Sequence, residues 1–600
     1  MAIEAARGVA GRSERSDTEP SRLAQCRLEG TSPAMQSHGR IRGGGFEWAA
    51  EQEQAEHDGL SWWIACLLPL IVHAALRDLW APDEPRYAQV ARELVERGDW
   101  FVLHRCGELY PDKPPFFFWL AALFGALGGW TEFALRMPSL LATAGLAWLV
   151  QRMALRYFGR REAVLAPCLL LGFVLVADIG GRAQLDPLLA FECVLALELL
   201  TRPLPSSRGV LRHCLGAGLC LAAALWTKGP VAFVNTGLPV ALGLWFAPER
   251  DCALLRARGW GWAALGVGIA TVGMPVAWAI RQEPLLEQHW LFRQHVARVT
   301  STGEHWGPPF EPLFELPMWT LPWATLVAAG LVMAWRAWRA RDNVVDRASL
   351  VFVAAWFAAL VLFYSLIPPK RPLYLLPAYP AAALLAAHAW AEGERRRALP
   401  AWVCWPVPIL MLLLGVALCS VGLFPRATWE RLELSTSPER LWLYSAIPGL
   451  ALLACGAWAA QALAARRHAQ ALHAMIAGWT AGLVLLAACL APAVNGRKSA
   501  RELAEWLALR PERPSQLACV GVQPEGYRFY GQVPAVARSV DQLEGTLQSE
   551  GRDFLALVRD REFELLAPQL RAQVAVLRVA AVGSRRIFVL ARLERGAAPR

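Results

Sequence analysis

The sequence predicts a polytopic α-helical membrane protein with a small α/β domain at its C-terminal end. Of its 600 residues, 55% are hydrophobic and 28 are Trp, too apolar a composition for a soluble globule. Apolar runs of about 16–24 residues recur between residues 60 and 492, the length that crosses roughly 30 Å of hydrocarbon. From about residue 493 the pattern changes to short strand-like stretches next to an amphipathic helix.

Residues 1–58 are rich in Gly, Ser, Arg and Glu without apolar periodicity, and read as a disordered cytoplasmic tail. No cleavable signal peptide is expected, because the first apolar run begins only at residue 60. Spans follow at 60–77, 134–155, 162–177, 186–201, 211–227, 229–247, 259–280, 318–335, 348–367, 371–391, 401–424, 442–465 and 472–492, thirteen in all. Loop charge decides about one further run, "FFFWLAALFGALGGW" (116–130). Short cytoplasmic loops collect Arg and Lys. The groups Arg156/Arg160/Arg161, Arg202/Arg208/Arg212, Arg250/Arg256/Arg258, Arg336/Arg339/Arg341/Arg347, Arg395–Arg397 and Arg466/Arg467 share one side only if 116–130 does not cross. That run therefore reads as juxtamembrane or re-entrant. The membrane domain covers 59–492, with its N-terminus inside and its C-terminus outside.

The net charge of +10 then reflects this inside bias. No soluble patch interleaves Lys/Arg with aromatics, so no nucleic-acid partner is expected. Most of the 13 cysteines lie in spans, where they act as small apolar residues, and no metal-type Cys/His spacing occurs. Cys106 and Cys519 fall outside, and a disulfide between them is left open. In 493–600, "SARELAEWLALRP" reads as the amphipathic helix, and "QLACVGV", "FLALVRD", "VAVLRVAAV" and "RIFVLARL" as strands of an outer α/β domain.

Three outer segments collect the polar chemistry. The loop 78–133 carries Asp83, Glu84, Arg86, Tyr87, "GDW" and then "LYPDKPP". Lys113, beside Asp112 and two prolines, is held stiffly, because proline fixes φ and restrains its predecessor. It reads either as a point charge for a phosphate or as a lysine snorkelling at the interface. Asp186 before Pro187 reads either as the N-cap of a span or as a functional acid at membrane depth. The loop 282–317 holds His289, His295 and His305 with Arg293 and Arg298; on a helix His295 and Arg298 share a face. Lys228 in "WTKGP" and Tyr374 in "PPKRPLYLLPAYP" are expected at outer span ends. Lys370 and Arg371 are the exception to the inside bias. An enzyme working outside has no nucleotide sugar, so an activated donor must arrive in the membrane; a lipid-linked sugar phosphate meets that need.

"DEPRYAQVARELVERGDW" followed by "YPDKPP", then "QLDPLLAFE", "WTKGPVAF", "FRQHVARV" and "RPLYLLPAYPAAALL", in that order, resembles the aminoarabinose transferase family of lipid A modification. The same pieces are similar to the wider protein-mannosyltransferase-like group with polyprenyl-phosphate donors. The resemblance implies a GT-C fold in a bacterial inner membrane. It implies glycosyl transfer by inversion from undecaprenyl phosphate to lipid A or another envelope glycan at a periplasmic site. It implies catalytic roles for Asp83, Asp186 and Glu84, and donor-phosphate contacts from Lys113, Tyr87, Tyr110, His295, Arg298, Tyr374 and Lys228. A divalent metal ion on Asp112 and His295 is a further expectation, weakened because Asp112 stands where the family usually has Glu. A protein O-mannosyltransferase is the alternative reading. A transporter is disfavoured, since no inverted halves with broken helices are evident.

Overall fold

A computed structural model describes residues 63–203, 206–246, 259–290, 307–340, 345–423, 438–510, 516–550, 554–583 and 585–592. Each of the thirteen expected spans contains helix. Among the described residues eight helices are long and apolar enough to cross a membrane, or nine if one bent pair counts as a span. The first elements are α1 (Trp63–Leu76), α2 (Asp83–Arg97), α3 (Phe116–Leu127), α4 (Glu132–Tyr157), α5 (Arg160–Gly172) and α6 (Val174–Ile179). Then come α7 (Leu185–Thr201), α8 (Ser207–Lys228) and α9 (Val231–Phe246).

The run 116–130 forms α3, a helix of 12 residues. At 1.5 Å per residue it reaches about 18 Å, short of the roughly 30 Å core, which agrees with its reading as a segment that does not cross. Two expected spans are not single rods. The run 162–177 breaks at Phe173 into α5 and α6. The expected span 318–335 is instead two helices, Glu311–Trp319 and Ala324–Ala340, bent by 118°. Pro322 lies in the break and has no amide to donate. The two breaks satisfy one another, since Val174 N donates to Leu321 O at 2.9 Å. Trp479 Nε1 donates to Gly172 O at 2.8 Å. Irregular backbone at membrane depth persists where protein supplies such partners.

The first outer loop turns on α2, whose chain leaves through Gly98 in the left-handed region (φ 71°) while Gly98 N donates to Leu94 O. A short hairpin of β1 (His104–Arg105) and β2 (Glu108–Leu109) leads back to α3. Beyond the helix His468–Lys498, the C-terminal part carries β3 (Leu517–Val520), β4 (Ala535–Arg538), β5 (Leu555–Arg559), β6 (Val574–Val582) and β7 (Arg585–Arg592). The sheet order is β4-β3-β5-β7-β6, parallel over the first three and antiparallel beyond. The four expected strands are β3, β5, β6 and β7, and the expected helix is Arg501–Ala508. The strand β4 is additional. Each face of the sheet is covered by its own apolar cluster, one built on Leu503, Leu507 and Tyr527, the other on Leu543, Leu547 and Phe554.

Helix α8 packs closely on the helix Gly259–Ala270, since a Cβ at Gly218 would stand 2.4 Å from Leu265 O and 2.9 Å from Gly268 Cα. Small residues allow such approach between membrane helices. Gly218→Leu is expected to force the two apart at a cost of about 1–3 kcal/mol, read as a lower melting temperature in detergent.

Candidate active site

Glu84 shapes this region from within. It is 2% exposed. Its Oε2 accepts from Arg77 Nη2 at 2.6 Å, Arg136 Nη2 at 3.1 Å and Trp80 N at 3.2 Å. Its Oε1 accepts from Arg136 Nε at 2.9 Å and Ala183 N at 3.0 Å. Arg136 also donates to Ala74 O in the last turn of α1 and to Arg77 O and Asp78 O just beyond it. Burial alone would raise the Glu84 carboxyl, but Arg136 and then Arg77 outweigh it and hold it far below the usual carboxylate value. Every lone-pair direction is taken by the protein, so Glu84, expected as a catalytic acid, sits as a structural anchor.

Asp83, its neighbour, faces the other way. Its Oδ2 accepts from Arg371 Nη2 at 2.9 Å and Gln184 Nε2 at 3.2 Å, and Arg86 Nη1 stands 3.9 Å from Oδ1. Burial pushes this carboxyl up, but Arg371, Gln184 and Arg86 together hold it below its ordinary value. Asp83 is not among the residues lining the cavity described next.

That cavity, about 400 Å³, lies between α7, α8, the 112–114 turn and the Tyr364–Pro377 segment. Its lining includes the polar side chains of Asp112, Lys113, Asp186, Lys228 and Tyr374; most of the rest is apolar, including Leu189, Val231, Val234, Val272, Val276 and Phe363. Lys228 Nζ donates to Asp186 Oδ1 at 2.5 Å and lies 4.6 Å over the Tyr374 ring. Gln184, and not Asp186, occupies the N-cap of α7; Asp186 lies in the first turn, beside the positive end of the helix dipole. Trp290 Nε1 donates to Pro111 O at 3.0 Å and pins the turn that carries Asp112 and Lys113. Tyr364, unnoticed in the sequence because it sits in an apolar span, lines the cavity and donates to Asn235 Oδ1 at 2.7 Å.

The structure thus brings together Asp112, Lys113, Asp186, Lys228 and Tyr374. Tyr87 and Tyr110 stand behind them, buried against Phe118 with ring centroids at 5.6 and 6.1 Å. His295 and Arg298 lie outside the described residues. Among the described residues no three His, Cys, Asp or Glu are grouped to hold a metal ion. Of the two residues expected on a metal, Asp112 lines the cavity and His295 is one of those outside the described residues. Cys106 and Cys519 are buried free thiols, and burial raises the Cys106 thiol to about 12. Sequence reading passed over Arg136 and Gln184; a charge inside a predicted span was the available signal for the first. For Arg371 the signal was its breach of the inside bias.

Comparison with known proteins places this geometry. A family model for dolichyl-phosphate-mannose-protein mannosyltransferase matches residues 112–278. An undecaprenyl phosphate-alpha-4-amino-4-deoxy-L-arabinose arabinosyl transferase of Pseudomonas aeruginosa is 32% identical over 437 residues, 70% of this chain and 72% of that protein. The transferase of that name from Serratia proteamaculans is 32% identical over 321 residues, and the chain spans 56% of its length. The crystal structure of ArnT from Cupriavidus metallidurans bound to undecaprenyl phosphate aligns with a TM-score of 0.70 and 21% identity. That alignment covers 91% of this chain and 100% of that one, a likeness of fold.

Glu84→Gln is expected to cost about 3–5 kcal/mol, because it leaves two buried guanidiniums short of their anion. The sign of the pH dependence follows from a depressed carboxyl. The stabilisation is fully present above the unfolded value of about 4.3 and is lost as the pH falls below it. Melting temperatures of wild type and Glu84→Gln, taken from pH 7 downward, are expected to converge in acid. Parallel curves would count against the anchor.

Proposed function

Because the chain belongs to the family of undecaprenyl phosphate-alpha-4-amino-4-deoxy-L-arabinose arabinosyl transferases, we propose that it moves an amino sugar from undecaprenyl phosphate to an envelope acceptor. Lipid A is the acceptor this reading favours, and the enzyme is a multi-pass protein of a bacterial inner membrane acting at the periplasmic face. The observation that carries the reading is the amphipathic cavity. A lipid-linked sugar phosphate is an anion on an apolar chain, and the cavity combines two lysines, Lys113 and Lys228, with a largely apolar lining.

In the transfer the acceptor oxygen attacks the anomeric carbon from the face opposite the lipid phosphate. The bond from that carbon to the phosphate oxygen breaks, and its electron pair leaves on undecaprenyl phosphate. Among the described residues, Lys113 and Lys228 are the cations that line the cavity, and they are suited to meet that charge. Fixed charges in a water-poor site are worth more than in solvent, because nothing must reorganise at the moment of reaction. Asp186 holds the Lys228 ammonium in place. A phosphate acceptor is already an anion and needs no base, which suits an Asp83 engaged with Arg371. A hydroxyl acceptor needs one.

The test is the full-length protein in liposomes with undecaprenyl-phosphate aminoarabinose and lipid A, with product read by mass spectrometry. Wild type is expected to add one aminoarabinose to lipid A, and Lys113→Ala or Lys228→Ala to lower the rate by about 10²–10³-fold. Transfer to a peptide instead would keep the donor and replace the acceptor. No transfer from any polyprenyl-phosphate sugar by folded protein would overturn the reading.

A further inference from the structure

The helix Glu525–Gly531, which follows β3, is fastened to α2 by several bonds. Arg92 Nη1 donates to Phe529 O at 2.8 Å, and its guanidinium lies 4.4 Å over the Phe529 ring. Arg528 Nε stands 3.4 Å from Glu93 Oε1. Phe529 enters the apolar cluster that contains Tyr87, Tyr110, Phe117 and Phe118. These contacts dock the C-terminal part on the first outer loop.

Glu525 does something else. It is 2% exposed, and its Oε2 is buried without a hydrogen-bond partner. Its Oε1 stands 3.8 Å from Arg86 Nε and 3.6 Å from Arg105 Nε. Arg86 Nη1 stands 3.9 Å from Asp83 Oδ1, and Arg86 Nε is buried without a hydrogen bond. The guanidinium, hydrogen-bonded to Tyr110, therefore stands between an acid beside the site and an acid of the C-terminal part, too far from either for a hydrogen bond. The groups facing Arg86 are Asp83, Tyr87 and Tyr110 from the first loop and Glu525 from the C-terminal part.

We propose that Glu525 is a positioning residue that holds Arg86 back from Asp83, so that Asp83 stays committed to Arg371. Two guanidiniums compete for one carboxylate. A charge-assisted bond closes to about 2.8 Å when nothing opposes it. Without the Glu525 anion, Asp83 is the one carboxylate left within 4 Å of Arg86 among the described residues. A closed Arg86–Asp83 pair loosens Arg371, which lies in the field of Tyr374 and Asp186. The C-terminal part thereby tunes a site to which it contributes no lining residue among those described. The effect on rate rests on the transferase reading; the linkage itself rests on these distances.

The experiment uses the full chain with Glu525→Gln, which keeps shape and removes charge. In the lipid A assay kcat is expected to fall about tenfold, with KM for the lipid donor within about twofold, since the cavity lysines are untouched. In an Arg86→Gln background the same change is expected to add nothing. Arg528→Gln breaks a parallel docking contact, and is expected to lower the melting temperature without moving kcat. An unchanged kcat in Glu525→Gln, or an equal fall in both backgrounds, overturns the proposal. A second cycle needs no substrate: melting temperatures of Glu525→Gln, Asp83→Asn and the double variant are expected to be non-additive, and simple addition overturns the linkage. If wild type transfers no sugar, the transferase reading fails while this melting cycle still decides about Glu525.

Discussion

The carboxylate of Glu84, on α2, is where the link from α1, α4 and the turn before α7 meet, and each reaches it through a donor: Arg77 and Trp80, Arg136, and Ala183. Four elements that share one buried anion cannot shift independently. Arg136 extends the constraint, because carbonyls at the end of a helix lack partners, and its guanidinium takes that of Ala74 in the last turn of α1 and those of Arg77 and Asp78 beyond it. A buried charge of this kind is expensive unless fully bonded, and removing either partner strands the other. The consequence for function is positional. Asp83 lies one residue before the anchor, and Asp186 lies three residues after Ala183, the backbone donor that the anchor holds. Ser139 closes the same turn by bonding Gln184 through both its backbone N and O.

From that frame the cavity inherits a division of labour. Asp186 on α7 and Lys228 at the end of α8 form a bonded pair across two helices, so the ammonium is fixed in direction before any ligand arrives. The Tyr374 ring beneath it adds a second restraint. Lys113 lines the same cavity from the proline-rich turn, which Trp290 pins. Most of the remaining lining is apolar, aliphatic and aromatic. Such a cavity separates a headgroup from a chain by polarity, and its low-dielectric walls strengthen whatever the lysines do at the head.

Much of this was legible in the sequence, and the limits have physical causes. Span positions follow from apolar length, which a bilayer enforces on every crossing helix. The 116–130 run was readable as non-crossing because the basic loops share a side only without it. Breaks were not readable: the bend between Trp319 and Ala324 leaves hydropathy unchanged while turning the axis by 118°. The strand β4 was missed because "PAVARS" is short, and its pairing with β3 is a long-range fact. In the site, Lys113, Asp186, Lys228 and Tyr374 were named from charge and proline at span ends, and they converge. Glu84 was named for the same reason and sits elsewhere. Sequence gives a charge at a place, but which of two adjacent acids turns inward depends on where Arg77 and Arg136 arrive.

The same adjacency bears on what Asp83 does. A carboxylate that accepts from Arg371 and Gln184, with Arg86 close by, is stabilised as an anion and is correspondingly a poor proton acceptor. An acid tuned to remove a proton near neutral pH shows the opposite arrangement, burial without cations. Asp83 therefore has the chemistry of an orienting group: it fixes Arg371, which lies in the field of Tyr374 and Asp186. An orienting Asp83 is compatible with an acceptor that arrives already ionised, since such an acceptor needs no base.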